Sequence, residues 1–403
     1  MLYSYFFLLF VTIGTMNLVI TTETYLPFVA GVSTSTDNIA RFMARAGHQT
    51  TVVSPNPVMK GEITALANLT ITHTPSFPDP FFTGKSFSPF PMPFRTLQNV
   101  LNHIDLIHIQ EPGAIGYTAM YIAKRRNIPV VGALHFTPEQ IFRILFFPKI
   151  PLFITLIKRY IRWFYNKCDG IMIPTETFAA FLRESGVTKP IIVVSNGVDT
   201  KDFVPSKNRL VQRDLFKLPK DKILFFFLGR LDFDKHADTI IRALPKTDKK
   251  VHLIIAGEGK EEQNFRNLAK TLGVFDRITW LGYLNHEQMK DVYQSVDCFV
   301  LMSPYEVQSI VTLQAIACGL PVLACKEGAL PELCHDGKNG FTIATDDDAT
   351  LAEKMNIIAS DEKLREKMGK ESRNISLPHD RETALARLLE FYKKIVDAKS
   401  SSL

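Results

Sequence analysis

Residues 17–54 read NLVITTETYLPFVAGVSTSTDNIARFMARAGHQTTVVS, and the order of patterns in this stretch decides the fold. Asn17–Thr21 is a short apolar run of strand length. A polar loop follows, then Ser33–Gly47 with helical spacing of its apolar residues, closed by Gly47, then a second strand at Thr50–Ser54. A strand, a loop, a helix and a second strand in that order predict a parallel, doubly wound sheet. The pattern continues outward through strands at Leu106–Gln110, Pro129–Leu134, Gly170–Pro174 and Ile191–Ser195.

A polar, turn-rich stretch, SNGVDTKDFVP (195–205), then interrupts it. The alternation restarts with strands at Leu224–Leu228, His252–Ala256, Ile278–Leu281, Cys298–Met302 and Pro321–Ala324, separated by helical segments such as Glu261–Leu272. The expectation is an α/β protein of two Rossmann-like, doubly wound parallel-sheet domains facing a central cleft. Residues 16–195 form the first domain, 196–205 a linker and 206–380 the second. An amphipathic helix over 381–403 is expected to cross back to the first.

The bulk composition agrees. The 403 residues suffice for two domains, and 46% hydrophobic with 22% charged residues is an ordinary globular balance. Five cysteines, an odd number with no C-x-x-C pair, predict reduced structural thiols rather than disulfides or zinc. The net charge of +6 is uneven: residues 1–205 hold 17 Lys and Arg against 12 Asp and Glu, the remainder 30 against 29. That excess suits an anionic substrate or membrane surface and is too modest and scattered for nucleic acid. Residues 1–15 are strongly apolar, with no Lys or Arg before Arg41 and no cleavage-site pattern. The preferred expectation is a start at Met16, the alternative a short anchor.

Three constellations in the second domain carry chemistry. In FFFLGRLDFDKHAD (225–238) an apolar strand ends at Gly229, followed by Arg230 and Lys235, which can clamp a diphosphate and neutralise a leaving group. Two ordinary surface cations are the plainer reading. Asp232 and Asp234 form a D-x-D, but the interleaved cations argue against a metal. In AGEGKEE (256–262), Gly257 and Gly259 suit a tight turn near a nucleotide, or simply a strand-to-helix turn. In SPYEVQSIVTLQAIACGLPVLA (303–324), Glu306 precedes a helix starting near Ser309, whose first amides can cradle a phosphate.

In the first domain, His135 ends a strand in GALHFTPEQ (132–140), a position for a ligand-binding or a merely structural histidine. Glu111 ends the strand of DLIHIQEP (105–112), as a contact to a bound ligand or equally a structural acid. Gly31 lies in the loop after the first strand, where the backbone could approach a bound phosphate. Residues 141–167 carry Arg143, Lys149, Lys158, Arg159, Arg162 and Lys167 among aromatic and aliphatic residues with no acid. That suits a helix lying on anionic lipid, the alternative being a core-packed helix with solvated cations.

Taken in order, these motifs resemble the GT-B glycosyltransferases of family 4, including the phosphatidylinositol mannosyltransferase-like and diacylglycerol glucosyltransferase-like groups. The motifs include YLPFVAGVSTST (25–36), DLIHIQEP, SNGVD (195–199), the Gly229-Arg230 to Lys235 loop, LGYL (281–284), the Glu306 helix and GALPELCHDGKNGF (328–341). The resemblance covers nearly the whole chain from Met16. It implies retaining transfer of a hexose from a UDP- or GDP-sugar, with no cofactor or metal required. Arg230 and Lys235 would bind the donor diphosphate, and Glu306 the hydroxyls of the transferred sugar. Amides near Ser309, Ile310 and Val311 would meet the phosphate, and Gly282 and Tyr283 would line the base. His135 would contact the sugar or transition state.

One departure stands out: the second glutamate of the family's pair, eight residues after the first, is Gln314 here, a neutral residue that can still accept a hydrogen bond from the ribose. The expected acceptor is a membrane lipid hydroxyl and the expected location cytoplasmic, peripheral on the inner face of the membrane. A soluble glycan or sugar-phosphate acceptor, or a non-catalytic nucleotide-sugar-binding subunit, stays open. An NAD-dependent dehydrogenase is disfavoured, since no G-x-G-x-x-G follows the first strand.

Overall fold

The computed structural model describes residues 14–80, 84–136 and 151–401, so most of the apolar N-terminal run, and Arg143 and Lys149 of the basic segment, lie outside the described residues. The chain divides into two compact units: Met1–Val194 with Leu385–Leu403, and Ser195–Ala384.

Unit 1 is built on a parallel sheet of seven strands: β1 (Asn17–Thr21), β2 (Gln49–Pro55), β3 (Leu69–Thr74), β4 (Leu106–Ile109), β5 (Val130–Ala133), β6 (Gly170–Ile173) and β7 (Ile191–Val193). Their order is β3-β2-β1-β4-β5-β6-β7. Its helices are α1 (Gly31–Arg45), α2 (Pro93–Val100), α3 (Ala114–Arg126), α4 (Pro151–Tyr165) and α5 (Glu176–Glu184). Central strands such as LIHI and GIMI are buried at every position, as parallel strands covered on both faces must be.

Unit 2 repeats the plan. Helix α6 (Arg209–Leu215) precedes β8 (Ile223–Leu228), and α7 (Ala237–Ala243), β9 (Val251–Ala256), α8 (Glu262–Thr271), β10 (Ile278–Gly282), α9 (His286–Ser295) and β11 (Cys298–Leu301) follow. Then come α10 (Ile310–Ala317), β12 (Val322–Cys325), β13 (Gly340–Ile343), α11 (Asp348–Ser360) and α12 (Glu362–Ser376). The six strands run β10-β9-β8-β11-β12-β13, all parallel. The core is built on the apolar run ILFFFL and on VHLIIA, apolar but for His252, packed under the helices. Local signals start and stop the helices: Asn285 forms a capping box with Gln288, and Asp361 accepts from Leu364 N at 2.9 Å.

The last helix, α13 (Arg381–Ser400), begins in unit 2 and continues into unit 1. There Phe391 and Ile395 lie on Gly170 of β6, where a Cβ would come within 2.6 Å of the Phe391 ring. Lys399 pairs with Asp169 at 3.0 Å.

The structure corrects the sequence reading in two places. Strands β3 and β13 were not anticipated. Both lie at sheet edges, where LTITHT and GFTI are only partly buried and lack a strong apolar run. Helix α1 begins at Gly31, two residues earlier than expected, so Gly31 is in the first helical turn rather than in a loop.

In both sheets the strand order reverses between two central neighbours, β1 and β4 in unit 1, β8 and β11 in unit 2. Loops leaving the carboxyl ends of such strands part there and open a crevice for ligands.

Candidate functional site

The loop after β8 carries Arg230 and Lys235, and the loop after β11 carries Glu306. Close packing of neighbouring strand ends fixes both. Leu231 N donates to Glu258 O at 2.9 Å, and Glu261 N donates to Leu231 O at 2.9 Å. A Cβ at Gly257 or Gly259 would lie 1.9 Å from Gly229 O or 2.3 Å from Leu231 O. Both glycines therefore let two loops touch, which is the plainer of the two readings of that motif. On the other side, Ala329 N donates to Glu306 O at 3.1 Å, and Gly328, at φ +70°, leaves room for Pro304 O. Ser303 Oγ donates to Asp234 O at 3.2 Å, tying the two loops to each other.

This frame brings Lys235 Nζ to 2.6 Å from Glu306 Oε1, with Asp234 Oδ2 at 4.0 Å. Burial alone would lower the Lys235 pKa, but the Glu306 and Asp234 carboxylates outweigh it and hold the ammonium above its ordinary range. Arg230 lies 3.0 Å from Asp232 and 3.6 Å from Asp234. The expected clamp is thus neutralised by carboxylates: the D-x-D pair of its own loop serves as the counter-charge of Arg230, and Glu306 of the loop after β11 as that of Lys235. Any anion reaching Arg230 has to compete with Asp232 and Asp234 for it.

Helix α10 starts at the same switch point. Its N-cap Ser309 accepts from Thr312 N at 3.2 Å, which uses one of the orphan amides. The N–H groups of Ile310 and Val311 lie in the first turn and have no acceptor within the helix. Gln314 Oε1, the atom expected to meet a ribose, lies 3.3 Å from the hydroxyl of buried Tyr293, which also donates to Val311 O at 2.8 Å. Gly282 ends β10 at φ +65° and binds Gly257 N through its carbonyl, and Tyr283 beyond it is exposed.

In unit 1, His135 follows β5, and its Nε2 lies 2.6 Å from Gln110 Oε1. Burial pushes its pKa down to about 4, so the ring is neutral near pH 7. His108 is fully buried within β4. Its Nδ1 lies 2.5 Å from the Tyr392 hydroxyl of α13 and 3.3 Å from Gln110 Nε2.

Glu111 is held more firmly than an acceptor contact requires: its Oε2 accepts from Glu23 N at 2.8 Å and Thr22 Oγ1 at 3.1 Å, bracing the loop after β1. Glu23 in turn accepts from Ile115 N at 2.7 Å and Gly116 N at 3.3 Å at the start of α3. Burial, reinforced by Glu111, raises its pKa to about 8. Gly31 sits in the first turn of α1, where N-cap Ala30 offers no side-chain oxygen and nothing lies within 4 Å of the absent Cβ.

Sequence reasoning missed Glu23, Gln110, His236 and Asp346. Gln110 carried one legible signal, its spacing of two from His108 along an extended segment, which puts both side chains on one face. His236 follows Lys235 in the left-handed conformation, φ +49°, with Nδ1 2.9 Å from Asp346 Oδ1.

Two family descriptions match in succession: Glycosyltransferase Family 4 over residues 29–202 and Glycosyl transferases group 1 over residues 209–375. Between them they span both units, and the chain belongs to this family of glycosyltransferases. It is similar to the sulfoquinovosyl transferase SQD2 of Arabidopsis thaliana, at 22% identity over 90% of this chain and 70% of the relative. The α-monoglucosyldiacylglycerol synthase of Streptococcus pneumoniae is 23% identical over 80% of this chain and 74% of its own length. A GDP-mannose-dependent α-mannosyltransferase of Corynebacterium glutamicum is 25% identical over 81% and 76%.

Among solved structures, sucrose-phosphate synthase of Thermosynechococcus elongatus superposes with a TM-score of 0.77 at 17% identity, covering 95% of this chain and 100% of that one. Anabaena Alr3699/HepE in complex with UDP and glucose gives 0.76 at 18%, covering 94% and 100%. The fold is GT-B.

Proposed function

We propose that this glycosyltransferase moves a hexose, with retention of configuration, from a UDP- or GDP-sugar to a hydroxyl of a membrane lipid. The observation that carries the donor half is the Lys235–Glu306 pair, 2.6 Å apart beside the open amides of α10 at the switch point of the second sheet. Arg230, Lys235 and the Ile310 and Val311 amides would take the diphosphate and stabilise the charge that grows as it leaves. Glu306 keeps Oε1 on Lys235 and offers Oε2 to the hydroxyls of the sugar. Gly282 and Tyr283 are assigned to the base, Gln314 to the ribose, Gly31 to the donor phosphates, His135 to the sugar or its transition state and Glu111 to the acceptor. The acceptor hydroxyl would attack on the face the diphosphate leaves. Relatives named for UDP-glucose complexes, GDP-mannose and a diacylglycerol product support this donor and acceptor class.

A surface of unit 1 favours the lipid. Leu156, Tyr160 and Trp163 lie at helical spacing on α4, all exposed, flanked by exposed Lys158, Arg159 and Arg162. Trp163 stacks on Tyr117 of α3, and Phe90 extends the patch. An exposed aromatic stripe edged by cations suits an anionic lipid interface. Among the described residues no helix is long and apolar enough to cross a membrane; the reading is peripheral attachment on the cytoplasmic side.

The test is a panel of nucleotide hexoses with the full chain and mixed anionic lipid vesicles, the product's anomeric configuration being read by proton NMR. One donor should be turned over with its α configuration kept, and Glu306→Ala should lower kcat by about 10²–10³. A β-configured product would sink the retaining route, and full activity of Glu306→Ala would sink the site.

A further inference from the structure

Gln110 lies fully buried between two imidazoles, and its two ends are not equivalent. A carbonyl oxygen can only accept and an amide nitrogen can only donate. Oε1 is 2.6 Å from His135 Nε2, and Nε2 is 3.3 Å from His108 Nδ1. His135 must therefore carry its proton on Nε2, leaving Nδ1 with the lone pair. His108 must present Nδ1 as an acceptor.

The reverse orientation of the amide would demand a proton on His108 Nδ1. That would leave the Tyr392 hydroxyl, 2.5 Å from the same nitrogen, without an acceptor for its proton. Tyr392 is fully buried, so an unmatched hydroxyl there is disfavoured, whereas the buried His108 Nε2 has no partner in either orientation and does not distinguish them. The orientation of the amide is thus decided from the C-terminal helix, 284 residues away along the chain from His108.

We propose that Gln110 is a positioning residue that fixes His135 in the Nε2–H tautomer, and that Tyr392 of α13, through His108, sets the orientation of Gln110. His135 then meets a ligand hydroxyl with a bare Nδ1, as a hydrogen-bond acceptor and not as a donor. This rests on the proposed role of His135 in transfer, and it defines that role: the histidine orients a hydroxyl by accepting its proton in a hydrogen bond. It also makes the last helix part of the support of the site. A merely structural amide would have no influence on which nitrogen of His135 is protonated.

Long-range proton–nitrogen NMR of the ¹⁵N-labelled full chain at pH 7.5 reads the tautomer directly, with His135 assigned by its loss in His135→Gln. The wild type should show Nε2 protonated and Nδ1 bare. Gln110→Leu should give a mixture of tautomers, with kcat down about tenfold and the donor KM within about twofold, since a hydrogen bond of about 1.4 kcal/mol is a factor of ten. Tyr392→Phe should shift tautomer and kcat the same way, more weakly. Gln110→Glu, which still accepts from Nε2–H, should keep the tautomer.

An Nδ1–H wild type would overturn the proposal even if no variant folded. So would an Nε2–H signal unmoved in Gln110→Leu and Tyr392→Phe. Full turnover by His135→Gln would remove His135 from the reaction, and the effect of Gln110 on kcat with it. The tautomer spectra would still decide the hydrogen-bond assignment separately.

Discussion

Glu23 and the two histidines of the first unit pull stability in opposite directions as pH changes. The Glu23 carboxyl titrates near 8 in the fold, against an ordinary value of 4.5. Between those values the folded chain holds a proton that the unfolded chain has released, so this group's contribution to stability falls as pH rises from about 4.5 to 8. His135 and His108 titrate near 4 and 3 in the fold, against 6.5. There the unfolded chain binds the extra protons, and stability falls as pH drops below 6.5. Glu23→Gln keeps an acceptor for Ile115 N and removes the ionisation. Its melting temperature should exceed that of the wild type at pH 8.5, by about 2–4 °C for each kcal/mol recovered, and converge with it near pH 5. Parallel melting curves across that range would contradict the raised pKa.

The same scale shows what could be read beforehand. Arg230, Lys235 and Glu306 were legible because residue type and short spacing carry the signal. Gln110, His108, Tyr392 and His135 were not legible as a unit. Each is ordinary where it stands, and their bonding spans 25 and 284 residues. Glu111 was legible as a strand-end acid but not as a brace, because its partners, Thr22 and Glu23, come from the other side of the switch point.

At the scale of elements, the turn joining β8 to α7 carries a local conflict. His236 holds φ +49°, a conformation that costs a residue with a Cβ about 1–2 kcal/mol. Asp346, itself at φ +64°, offsets that cost by accepting from His236 Nδ1 and from Thr239 Oγ1 at 3.2 Å. The Asp346–Asp348 run divides its work: Asp346 latches the turn, Asp347 caps α11 through Thr350 N, and Asp348 meets Lys246. Lys235 is the residue before the latch. Asp346→Ala should weaken binding of the nucleoside diphosphate by about three- to tenfold in calorimetry, and adding His236→Gly should restore most of it, since glycine adopts this φ freely. Equal affinities in wild type and Asp346→Ala would dismiss the latch. Element existence was readable wherever a strand is buried on both faces. It failed at edge strands β3 and β13, whose sequences LTITHT and GFTI lack a continuous apolar run, while the equally exposed edge strands β7 and β10 were readable from their apolar residues.

For the molecule as a whole, the aromatic stripe of α4 and its cations make a quantitative case. Vesicles with anionic headgroups should bind the chain and neutral ones much more weakly, with each exposed cation near the surface worth about 1 kcal/mol. Arg159→Glu should lower the vesicle partition coefficient by about tenfold or more, and Trp163→Ala should lower it at high salt as well, where the charge contribution is screened. Equal partition onto neutral and anionic vesicles would reject the surface as the lipid-facing one.

The route of the chain has a consequence for how the protein is made. Because Leu385–Leu403 belongs with Met1–Val194, the second unit is an insertion, and the half that the ribosome makes first is the last to be completed. At about 5–20 residues per second, the intervening stretch keeps β6 waiting roughly 10–45 s for Phe391 and Ile395, and His108 roughly 14–57 s for Tyr392. Through that interval the nascent first unit has an uncovered apolar sheet face, which is the moment a chaperone would find it.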